Sequence, residues 1–128
     1  MNVRRITAAT AVATLVAVPT AVLVAAPAHA DAERQVACAG GRLELSVDRE
    51  GNGWEVDASV DNVAAGQQWR FVVKHDGNRA FKGVRTTDNE GDADVDRWRQ
   101  DTSGKDTFSA KVVRLSDGTT CRVSVTVG

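Results

Sequence analysis

The chain has 128 residues, and the first thirty read as an export segment rather than as fold. Taking Arg4 and Arg5 from 16 basic residues leaves 14 against 17 acidic, a net charge of −3 for residues 31–128. That balance argues against a nucleic-acid or anionic-membrane partner. The apolar content argues against disorder, and the length against an enzyme with separate cofactor and substrate domains.

Arg4 and Arg5 supply a positive start, and residues 6–26 are uncharged and rich in Ala, Val, Thr and Leu. Ala28-His29-Ala30 then puts small side chains where signal peptidase needs them, so cleavage is expected before Asp31. A retained anchor is disfavoured because the run is mostly Ala and Thr and holds Pro19. Lipidation at Cys38 is disfavoured because Gln35 stands where an aliphatic residue is required. The domain organisation is therefore a signal peptide, 1–30, and one secreted extracellular domain, 31–128, with no membrane contact after cleavage.

Export puts Cys38 and Cys121 in an oxidising compartment, where two cysteines of a small domain pair. A redox or metal pair would call for a CxxC spacing or several histidines, and only His75 follows residue 30. The expectation is a structural disulfide, with no metal and no cofactor.

From residue 42 onward the pattern is alternation. Leu43, Leu45 and Val47 alternate with polar residues, and Glu50-Gly51-Asn52-Gly53 reads as a hairpin turn. Trp54, Val56, Ala58 and Val60 form the next apolar face, and Trp69, Phe71 and Val73 the third. Asp76-Gly77 turns into a weaker strand over 79–86. A short strand begins at Ala93 and Val95, then come Phe108, Ala110 and Val112, and last Cys121, Val123, Val125 and Val127. Seven strands with Gly, Asn and Asp turns and no 3.6-residue period predict an all-β antiparallel sandwich.

At this level the chain resembles an immunoglobulin-like β-sandwich. Trp69 opens the third strand as the core Trp of strand C does, ahead of the Asp76-Gly77 hairpin. Residues 101–110 look like the approach to strand F, with Phe108-x-Ala110 in place of Tyr-x-Cys and Ala58 in place of the strand B cysteine. The resemblance implies two alanines packed over Trp69, with Cys38 and Cys121 tying the first strand to the last. The export signal and composition also resemble small secreted actinobacterial proteins. A sandwich serves too many roles to imply one.

Catalytic parts are not visible. Serines 46, 59, 103, 109, 116 and 124 lie outside any Gly-x-Ser-x-Gly elbow, and His75 reads as a surface side chain in a turn. The acidic residues Asp88, Glu90, Asp92, Asp94 and Asp96 fail as an EF-hand, because Arg97 and Ser103 stand where Gly and an acid are needed. They read as an acidic turn and outer face balanced by Arg85, Arg97 and Arg99. Trp54 and Trp69 belong to the core. Regular alternation sends Trp98 outward with Asp94 and Asp96, where with Arg97 and Arg99 it would form a binding patch. A β-bulge near Arg97 would instead turn it inward, the commoner position of a large aromatic. The expected function is a non-catalytic secreted binding or structural module contacting an extracellular protein or a cell-surface glycan. The alternative is a small secreted inhibitor of an extracellular hydrolase, presenting loop 61–67 or loop 87–92.

Overall fold

The structure, a computed structural model, describes residues 31–128. Ala28, Ala30 and the export segment lie outside the described residues, and Asp31 is the exposed residue ahead of the first strand. Eight strands follow: β1 (Ala32–Cys38), β2 (Gly41–Glu50), β3 (Gly53–Asp61), β4 (Gln68–His75), β5 (Asn78–Thr86), β6 (Ala93–Gln100), β7 (Asp106–Arg114) and β8 (Thr120–Val127). They form two antiparallel four-stranded sheets, β1-β2-β3-β6 (sheet 1) and β5-β4-β7-β8 (sheet 2).

The all-β sandwich expected from alternation is present, with eight strands rather than seven. The additional strand is β1, whose Ala-Glu-Arg-Gln start has no continuous apolar alternation. Its turn into β2 holds Ala39 at φ 51°, a left-handed conformation that an L residue with a Cβ rarely adopts. Pairing with β2 along its whole length supplies what its own sequence does not.

The apolar sets named above turn inward and merge into one core, with Trp54, Trp69, Phe71 and Phe108 fully buried at its centre. Burying a side chain such as Phe71 or Phe108 stabilises the fold by about 1.5–3 kcal/mol. Between β4 and β5, Asp76 and Gly77 both have positive φ, 49° and 81°, the turn whose twist matches that of the strands it joins. A register shift after Val73 explains why β5 alternates poorly.

Two devices close the sides of the sandwich. On one side Cys38 of β1 is bonded to Cys121 of β8, so the expected disulfide joins the two sheets edge to edge. A protein that relies on such a bond folds in an oxidising environment. On the other side Phe81 of β5 lies under two guanidinium groups, Arg97 of β6 at 4.3 Å and Arg85 at 5.0 Å from the ring centroid.

Candidate functional site

Strand alternation sorts the charges of this domain by sheet. All nine carboxylates of sheet 1 take outward positions: Glu33, then Glu44, Asp48 and Glu50, then Glu55, Asp57 and Asp61, then Asp94 and Asp96. Among the described residues, the one cation sharing that face is Arg42, 3.7 Å from both Glu44 and Asp61. Arg85, Arg97 and Arg99 do not balance the acidic run, because Arg85 belongs to sheet 2 and the inward side of β6 carries the other two.

Asp57, Asp94 and Asp96 are the densest part of this face, with carboxylate oxygens within 4.8 Å of one another. Burial, and then the charges of Asp96 and Asp94, push Asp57 up to about 7. Glu44 and Glu55 are also raised, first by burial and then by Glu33 and Glu50 respectively. Of the acidic run 88–96, only Asp94 and Asp96 join this cluster. Asp88 instead accepts the backbone N–H groups of Glu90 and Asp92, at 2.9 and 3.0 Å, and so shapes its own turn.

Trp98 stands at the end of the same face. The register of β6 on β3 runs unbroken from Ala93 to Gln100, so no bulge turns the indole inward. Trp98 is 47% exposed, directly opposite Glu55. Its ring lies against Gly53, where any Cβ would collide with the indole and with the Arg99 carbonyl oxygen. The indole N–H donates to the Glu50 carbonyl at 3.2 Å. The indole is thus held against backbone while about half of the residue stays open to solvent. Arg97 and Arg99 point to the opposite side of β6, Arg97 onto Phe81 and Arg99 Nε to 3.5 Å from His75 Nδ1. The three residues grouped by sequence do not form one patch.

His75 is not a surface side chain. It continues the inward series Trp69, Phe71, Val73, is 4% exposed and stacks on Phe108 with ring centroids 4.3 Å apart. Its Nε2 lies 2.7 Å from Oδ1 of Asp106, which is completely buried. The same oxygen accepts the Thr102 hydroxyl at 2.6 Å, and Asp76 accepts the Thr107 N–H at 2.7 Å. His75, Asp76 and Asp106 are of metal-ligand type and lie close together. Their nearest atoms are engaged in this hydrogen-bond set, which fastens the β4–β5 turn to the start of β7. A histidine in contact with a carboxylate is two thirds of a catalytic triad, yet the hydroxyl at hand, Thr102, is held by the carboxylate. Extending the period-2 pattern of β4 by one step is the signal that finds His75.

The two loops 61–67 and 87–92 are bound to each other. Val63 N–H donates to Gly91 O, Gly66 N–H to Thr87 O, and the buried Thr87 hydroxyl to Ala64 O at 2.7 Å. Comparison with protein-family models, with curated proteins and with solved structures finds no match for this chain.

Proposed function

We propose that residues 31–128 form an exported, non-catalytic binding module that contacts a cell-surface glycan or an extracellular protein through Trp98. The observation carrying this is the indole held against Gly53 and still 47% exposed. A flat, prepositioned aromatic loses little entropy on binding and suits the apolar face of a sugar ring. Glu55 and Gln100, beside it on the outer face, offer hydrogen-bonding groups to hydroxyls. Co-sedimentation of residues 31–128 with insoluble cell wall, cellulose and chitin tests the reading. Binding that Trp98→Ala abolishes supports a glycan contact, and binding that survives the substitution removes Trp98 from the site.

Export rests on the Ala28-His29-Ala30 pattern and agrees with the disulfide. Secreted protein should have the mass of residues 31–128 less two hydrogens; a mass that includes Met1 would refute cleavage. We also read the sandwich as immunoglobulin-like. The orders β2-β3-β6 and β5-β4-β7-β8 correspond to A-B-E and C′-C-F-G, with β1 added outside the first. Ala58, Ala110 and Trp69 are all buried, in keeping with that reading.

The clamped pair of loops favours a second reading, inhibition of an extracellular hydrolase. An inhibitory loop must be rigid before it binds, and here hydrogen bonds between 61–67 and 87–92 supply what a local disulfide would. A panel of proteases and glycosidases assayed with and without the protein decides it.

A further inference from the structure

The outer face of sheet 2 is the electrostatic opposite of sheet 1. Strands β4, β5, β7 and β8 contain a single carboxylate, Asp106, and it points into the core. Outward stand Arg70, Lys74, Lys82, Lys111 and Arg122. A groove of about 600 Å³ lies on this face, lined by Lys74, Lys111, Arg122, Ser109 and Ser124, with Arg34 of β1 reaching it from the disulfide-linked edge. Val72 and, at the β1 edge, Val36 add apolar surface to its lining. Among the described residues, none of Arg34, Lys74, Lys111 and Arg122 has a carboxylate within 4.0 Å.

Four like charges around one concavity repel one another, and an anion in the groove removes that cost. Ser109 and Ser124 are directly paired across β7 and β8, so two hydroxyl donors meet between the cations. The volume is several times that of one tetrahedral oxyanion, which points to a chain segment carrying more than one. Among the described residues, no aromatic side chain stands on this face, so nucleic-acid bases would find nothing there to stack on. We infer that this groove binds a linear polyanion bearing sulfate or phosphate esters, its neutral backbone against Val72 and its esters on Lys74, Lys111, Arg122 and Arg34. The site lies on the sheet opposite Trp98 and goes beyond the glycan contact proposed there. Net charge conceals it, because −3 is the sum of an acidic face and a basic one.

The test is fluorescence anisotropy with labelled dextran sulfate and labelled dextran phosphate, and with neutral dextran as control. At about 50 mM salt one or both polyanions should bind, with affinity falling as salt rises. The tighter of the two identifies the ester. Lys74→Glu/Lys111→Glu should weaken binding about tenfold or more. Lys105→Glu/Arg85→Glu, with the same change in net charge away from the groove, should change it by less than about threefold. Trp98→Ala should leave polyanion binding intact while removing any co-sedimentation with insoluble glycan, which separates the two proposals. No binding by wild type at low salt overturns the inference, as does equal loss in the two charge variants. Self-association in sedimentation velocity that Lys74→Glu/Lys111→Glu abolishes also overturns it, assigning the groove to the acidic face of a second copy.

Discussion

His75 and Asp106 meet inside the sandwich, Nε2 to Oδ1 at 2.7 Å, one at the last residue of β4 and the other at the first of β7. Both occupy core-facing positions, so neither can turn to water if the other is removed. Thr102 depends on the same carboxylate through its hydroxyl. Asp106→Ala should therefore cost about 1–3 kcal/mol, the range for leaving a buried hydrogen-bonding group without its partner. Asp106→Asn keeps the shape and one acceptor oxygen and should cost less. Urea unfolding measures both, and a loss under about 1 kcal/mol for Asp106→Ala would show that the pair is dispensable.

Asp57 makes stability depend on pH in a direction opposite to most paired carboxylates. Its folded value is raised from 3.8 to about 7, chiefly by burial and then by Asp96. The folded state thus favours the protonated form, and the stability this gives is full below about pH 4 and lost as pH rises through about 7. Asp57→Asn should flatten that fall. It should also raise stability at pH 8 by about 1 kcal/mol, a figure kept small because solvent reaches the face. Denaturant midpoints across the range check this; a fall of unchanged depth in Asp57→Asn would move the effect to other groups.

The two indoles on neighbouring strands of sheet 1, and the third in sheet 2, should respond differently to truncation. Trp69 is completely buried, and Trp69→Ala should cost about 3–5 kcal/mol. Trp98 lies on the outer face, 47% exposed, so Trp98→Ala should cost about 1 kcal/mol or less. Comparable losses at both positions would mean that Trp98 serves the fold rather than a ligand. Thermal unfolding of the two variants gives the answer.

Period-2 alternation makes most of this fold legible: Leu43 to Val47, Trp54 to Val60 and Trp69 to Val73 all face the core as their spacing requires. It misses β1 because that strand is fixed by its neighbour and by Ala39 in a conformation no propensity favours. At Trp98 the same alternation is right, and the expectation that a large aromatic is buried is not, because Gly53 leaves a seat for the ring on the outer face. Adjacency groups Arg97 with Trp98, yet on a strand adjacent residues take opposite faces. The segregation of acid and base needs the strand order. Only when β6 is paired with β3, rather than with β5 or β7, do Asp94 and Asp96 meet Asp57.

The disulfide should act on β1 more than on the rest of the domain. Cys38 and Cys121 close 83 positions, which in the chain-entropy model stabilises by about 4–5 kcal/mol. That term is global, since it restricts the unfolded chain. A second effect is local: β1 is the outer strand of sheet 1, hydrogen-bonded only to β2, and its inward side carries Ala32, Arg34 and Val36 rather than large apolar groups. The bond to β8 is its one covalent tie to sheet 2. Cys38→Ala/Cys121→Ala should therefore lower the denaturant midpoint and also speed amide exchange in β1 well beyond the change seen in β3, under conditions where the variant is still folded. Hydrogen exchange resolved by residue reads both effects at once. Acceleration of equal size in β1 and β3 would mean that β1 is held by its ladder with β2 alone, and that the bridge contributes only through the unfolded state.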